Sequence, residues 1–193
     1  MNAAVPDDLV HRHRLTVEEY YRMAEVGLLA PDARVELIEG EIIDMAPIGN
    51  RHAGVLDQLA KLMMTAVGQS AHVRIQNPLR LDQSSEPEPD LVLLRRRPDN
   101  YKRAHPTPAD ALLVVEISES SLHFDLKRKL PLYARQRIPE VWIVDVAAPL
   151  VHFFHSPNDT GFGHGSSTSQ PGLIRLQALS DVAVDLSGLL EDL

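Results

Sequence analysis

The chain has 193 residues, 44% of them hydrophobic, enough for the core of one ordinary domain. It has no cysteine, so disulfides and thiolate-bound metals are excluded and any metal must be held by His, Asp or Glu. The net charge of −8 excludes a uniformly basic surface for polyanions. It leaves room for local basic clusters, at Arg95–Arg97 with Lys102 and Arg103, and at Lys127–Lys129 with Arg135 and Arg137.

Residues 1–14 are polar and carry a His-Arg-His-Arg run, so they are expected as a flexible N-terminal arm, with 15–193 as a single domain. There is no basic-then-apolar leader and no apolar run long enough to span a bilayer, which gives the expectation of a soluble, cytoplasmic protein with no membrane contact. Thr16 followed by Glu19 is a capping box, predicting a helix to about Val26, stopped by Gly27. Ala33–Ile38 and Glu41–Met45 flank Glu39-Gly40 and predict a hairpin, with Glu36 inside its first strand. Asn50 is placed to cap a helix with the stripe Val55, Leu56, Leu59, Met63, Ala66 and Val67, ended by Gly68; His52 lies in its first turn.

His72–Gln76 and Leu79–Leu81 read as short strands around Asn77-Pro78, and Leu91–Leu94 as another; Arg95–Pro108 reads as a loop. Ala111–Ser118 is almost wholly apolar and predicts a strand buried on both faces, interrupted by Glu116. Asp125–Gln136 predicts a helix that Pro131 bends or restarts, followed by a buried strand at Val141–Val146. That strand–helix–strand unit has the length of a crossover, so its two strands are expected to be parallel. Leu150–His155 predicts a strand, Ser156–Pro171 a Gly/Ser-rich flexible loop, and Leu173–Leu176 and Val182–Leu186 late strands. The order fits an α/β (α+β) fold, a mixed central sheet flanked by helices.

A carboxylate in an apolar strand needs a partner or a cation, because burying it alone is costly. Glu116 is one; Asp90, at the start of the preceding strand, is a second that a neighbouring strand can bring to the same ion. The peptide carbonyl of Ile117 can add a third oxygen, and hard oxygen donors of this kind suit Mg2+ or Mn2+. A lysine must then face the phosphate. Lys129 shares a helix face with Asp125 and Tyr133, whereas Lys127 lies about 200° away around the helix. The competing readings are an exposed Asp125–Lys129 pair and a purely structural ion pair at Glu116. Glu36 and Gln76 are polar residues in strand-like runs and are secondary candidates; His52 is weaker. If Lys129 serves only the chemistry, its removal lowers the rate about a hundredfold and leaves the fold intact.

The segments VELIEGEII, NRHAGVLDQLA, QNPLRLDQSSEPEPDLVLL, LLVVEIS and DLKRKLPLYARQRIPEVWIVDV resemble the Uma-two family, restriction-endonuclease-like proteins of the PD-(D/E)XK nuclease superfamily, over roughly Leu15–Leu190. The resemblance implies a metal-dependent endonuclease acting on DNA, with Asp90 and Glu116 as catalytic metal ligands, Glu36 as the acidic residue supplied by an earlier element, and frequent homodimers. The superfamily's motif lysine is Ser118 here, and Lys129 on the following helix is the replacement that the family implies. The alternative function is a catalytically inactive nucleic-acid-binding or assembly module on the same fold.

Overall fold

The computed structural model describes residues 12–193, so residues 1–11 of the expected arm lie outside it. In chain order the elements are α1 (Val17–Glu25), β1 (Val35–Ile38), β2 (Glu41–Asp44), α2 (Asn50–Val67), β3 (His72–Ile75), β4 (Leu91–Leu94) and β5 (Ala111–Ser118). A continuous helical run follows, made of α3 (Leu122–Phe124), a π-turn (Asp125–Lys129) and α4 (Leu130–Arg135). Then come β6 (Glu140–Asp145), β7 (Leu150–Asn158), β8 (Gly161–Thr168), β9 (Leu173–Arg175) and β10 (Ala183–Asp185). None of the helices described is long and apolar enough to cross a membrane.

Six strands form one sheet in the order β3-β4-β5-β6-β7-β8. Only β5 and β6 are parallel, as the crossover length requires, and the other neighbours are antiparallel. The central strands β4, β5 and β6 are buried throughout, and their side chains alternate between two cores. On one face, Val55, Leu59 and Met63 of α2 pack on Leu113, Val115, Ile117 and Trp142. On the other, Leu132 and Tyr133 of α4 pack on Val92, Val114 and Ile143. Glu116 lies on this second face, between Val114 and Ser118.

Thr16 and Glu19 complete the capping box of α1. The β1–β2 hairpin turns through Glu39 and Gly40, both with positive φ (50° and 75°), as a tight hairpin demands. Gly40 has a further reason: a Cβ there would come within 2.6 Å of Arg14 Cβ. Arg14 is itself tied to Glu41, so the segment expected as a free arm is anchored at its inner end.

Four expectations are corrected. Gly49, not Asn50, is the N-cap of α2, with no side-chain cap. Leu79–Leu81 is not a strand: Leu79 and Leu81 donate to Pro87 and Ser85, and Pro78, Pro87 and Pro89 supply no N–H to extend a ladder. The helix after β5 begins at Leu122, and Pro131 stands where the π-turn hands over to α4. Ser156–Pro171 is not a flexible loop, because β7 continues to Asn158 and pairs with β8 across a tight turn. Residues such as Gly163, Gly165 and Ser166 have little strand propensity. Their glycines instead let β8 approach β7 closely: a Cβ on Gly165 would lie 3.2 Å from the Phe154 ring.

Candidate active site

β4 begins at Leu91, opposite Val115 of β5, so Asp90 stands beside Glu116 just where β4 leaves the sheet. The β5 backbone is therefore unpaired on that edge. The Ile117 N–H donates to Asp90 Oδ2 at 2.8 Å, closing the gap with a side chain. A strand residue's N–H and C=O point to the same edge, so the Ile117 carbonyl also faces Asp90's side. Asp90 Oδ1 is held by His52 Nε2 at 3.0 Å and by the Gln76 side-chain amide at 3.2 Å.

Glu116 is fully buried. Its Oε1 accepts from the Tyr133 hydroxyl at 2.5 Å and from Lys129 Nζ at 3.3 Å. Burial pushes its carboxyl up to about 8, reinforced by the charges of Asp125, Asp90 and Glu36, while Lys129 opposes the shift. Lys129 also lies 3.0 Å from Glu36 Oε1. Burial works against its charge, but Glu116, Glu36 and Asp125 together hold it firmly protonated, well above the ordinary lysine range. The Tyr133 hydroxyl is raised well above its usual value, first by burial and then by Glu116, so it stays a donor.

The π-turn explains how these groups converge. In a regular α-helix, positions four apart drift by about 40° per step. Widening the turn over Asp125–Lys129 offsets that drift, so that Asp125, Lys129 and Tyr133 all face β5 and all are buried. Lys127 is exposed. The expected register is thus observed, and an exposed Asp125–Lys129 pair is ruled out. Ser118, in the place of the superfamily lysine, donates to Asp125 Oδ2 at 2.7 Å, and Ser121 donates to the same oxygen at 2.6 Å.

Glu36 enters from the β1–β2 hairpin. Its second oxygen accepts the Glu88 N–H at 3.1 Å, which joins the hairpin to the acidic segment before β4. Glu88 is half-buried and its carboxyl is raised, chiefly by burial and then by Glu36. The hairpin is held from outside by Arg128, which pairs with Glu39 and Glu41, and by Arg135, which pairs with Glu39.

These residues line a cavity of about 540 Å3. Seven carboxylates border it (Glu36, Asp44, Glu88, Asp90, Glu116, Glu119 and Asp125) against two permanent cations, Arg34 and Lys129. The apolar part of the lining comes from Ile43, Met45, Pro47, Ile48 and Phe124. Among the described residues, no three His, Asp or Glu side chains stand close enough to hold a metal by themselves. An ion here would rely on two carboxylates, a peptide carbonyl and water.

Asp90, Glu116, Ile117, Lys129 and Glu36 are thus brought to one cavity. His52 and Gln76, read from sequence as weak or secondary candidates, both contact Asp90 directly. The local hint for Gln76 was a polar side chain in an otherwise strand-like run. Nothing local ties His52 to a residue 38 positions later.

A six-stranded mixed sheet with helices on both faces, and carboxylates gathered where β4 parts from β5, makes this a mixed α/β protein with an acidic cavity. The chain belongs to the Uma2 family, described as "Putative restriction endonuclease", which matches residues 17–186. Its fold is similar to that of a crystal structure described as "a putative nuclease belonging to DUF820" from Anabaena variabilis ATCC 29413. The match has a TM-score of 0.71 and 15% identity, and covers 91% of this chain and 97% of the other. No curated protein gives a significant match.

Proposed function

We propose that the chain is a divalent-metal-dependent endonuclease that hydrolyses DNA phosphodiester bonds. The observation that carries this reading is the excess of carboxylates over cations around one cavity, with the buried Glu116 raised to about 8. A phosphodiester cannot approach such a wall unless positive charge is added, and a hard cation on oxygen donors is the chemistry this set of residues favours. The donors have capacity left. Oε1 of Glu116 already serves two donors, leaving Oε2; Asp90 Oδ2 serves one, leaving a lone pair. Asp90, Glu116 and the Ile117 carbonyl would hold Mg2+ or Mn2+. Such an ion, when bound, neutralises phosphate charge and acidifies water.

The chain's own groups do the remainder. Lys129 commits two donors to Glu36 and Glu116 and keeps a third, which is available to a water or a phosphate oxygen. Glu36 keeps Lys129 charged and aimed. Tyr133 fixes the rotamer of Glu116, and the apolar lining reduces the water that reaches the substrate.

The test is incubation of supercoiled, linear and single-stranded DNA with Mg2+ or Mn2+, next to Asp90→Ala. Cleavage is expected with the wild type and not with the variant. Normal Mn2+ binding by the wild type with no cleavage of any substrate would reject the enzyme reading in favour of a non-catalytic nucleic-acid-binding module.

A further inference from the structure

We infer that His52 and Gln76 are positioning residues for Asp90, fixing its carboxylate so that Oδ2 is the oxygen left to face a divalent cation. The inference rests on the nuclease reading above. Asp90 is only 8% exposed and its carboxylate is approached from three separate places: Gln76 just past β3 and the Ile117 N–H of β5 each donate a hydrogen bond to it, and His52 Nε2 on α2 stands 3.0 Å from Oδ1. Each carboxylate oxygen has two lone pairs. Gln76 and His52 crowd Oδ1, while one donor on Oδ2 leaves a single lone pair open. Turning the carboxylate about its own axis would break all three contacts together.

The donors themselves are constrained. His52 Nδ1 is buried without a partner. A proton there would be buried without an acceptor and would leave the Nε2 lone pair facing carboxylate lone pairs at 3.0 Å. Nε2 is therefore the ring nitrogen placed to present its N–H to Asp90. Gln76 sits at φ 47°, a left-handed conformation that residues other than glycine seldom adopt. That conformation lets Gln76 grip Asp90 twice, since its backbone N–H also donates to the Asp90 carbonyl at 3.1 Å. Strain persists where the side chain it delivers is needed. Partners that orient a metal-binding carboxylate in this way typically change metal affinity or activity 10–100-fold when removed.

The experiment compares His52→Ala, His52→Gln and Gln76→Asn with the wild type by three measurements. These are Mn2+ affinity by calorimetry without DNA, the kcat and KM of DNA cleavage at saturating Mn2+, and melting temperature in chelator. His52→Ala should bind Mn2+ about 10- to 100-fold more weakly and lose kcat at unchanged KM. His52→Gln, whose amide can take the place of Nε2–H, should recover most of the loss. Asparagine tolerates positive φ but is one methylene too short to reach Asp90, so Gln76→Asn should weaken Mn2+ binding without lowering the melting temperature. Unchanged Mn2+ affinity in both His52→Ala and Gln76→Asn, with affinity abolished in Asp90→Ala, overturns this inference alone. So does a melting temperature that falls in step with affinity in Gln76→Asn, which would make the role structural. A wild-type chain that binds no Mn2+ overturns the metal reading, and this inference with it.

Discussion

Lys129→Met is the sharpest perturbation of the site, because it removes one charge and keeps most of the side-chain volume. Lys129 Nζ stands 3.0 Å from Glu36 and 3.3 Å from Glu116, and its side chain is 6% exposed. With an effective dielectric constant of about 20, each contact carries about 5 kcal/mol of attraction when both of its partners are ionised, largely offset by the desolvation of all three groups. Removing one member of a buried pair typically costs about 3–5 kcal/mol, because the charge left behind has no partner. In a domain of this size each kcal/mol lowers Tm by about 2–4 °C, so a fall of about 6–20 °C is expected. The stranded Glu116 carboxyl, already raised to about 8, escapes by protonating below that pH and is forced to carry its charge only above it. The loss should therefore be larger at pH 9 than at pH 6. Thermal melts followed by circular dichroism in chelator, at both pH values, measure it. Added Mn2+ should restore more of the lost Tm in the variant than it adds to the wild type. A fall below about 2 °C, or an equal fall at both pH values, would show that Glu36 and Glu116 do not depend on this ammonium group. Buried between two glutamates, Lys129 is thus expected to support the fold as well as the rate, where spacing alone predicts an effect on the rate only.

Two further outcomes are expected. The Glu116 carboxyl is raised to about 8 in the folded chain from a reference of 4.5. Its contribution to stability is then full below about pH 4.5 and is lost as pH rises through 8, so chelated wild type should weaken by a few kcal/mol across that window. Glu116→Gln should flatten the profile and remove the stabilisation by Mn2+; a chelated wild type with a flat profile over the same window would contradict the burial argument. Lys127→Ala, at an exposed position, should keep kcat within about twofold and at most reduce the salt dependence of DNA binding. A hundredfold loss of kcat there, with Lys129 variants unaffected, would mean that the helix register is wrong.

Much of the framework was legible because its signals are local. The unbroken apolar run of β5 permits no surface position, Thr16 and Glu19 satisfy each other's backbone three residues apart, and Glu39-Gly40 can adopt the positive φ values of a tight hairpin. The same logic singled out Glu116 as an ionisable group with nowhere to hide, and the helical period set Lys129 apart from Lys127. Sequence thus determined most of the elements and the parallel β5–β6 pair, and it nominated the acidic residues and their lysine.

What these residues do to one another was decided only by the tertiary structure, because electrostatic partnership depends on distance in space. Glu36 meets Lys129 across 93 positions of chain, and His52 and Gln76 meet Asp90 across 38 and 14. Strand β8 escaped notice because its backbone pairing with β7 needs no side-chain pattern. The π-turn left no local mark beyond Pro131, yet it aims Asp125, Lys129 and Tyr133 at one strand. The raised carboxyl of Glu116 follows from complete burial beside three other acids, and that condition exists only once the sheet, the hairpin and the helix have closed around it.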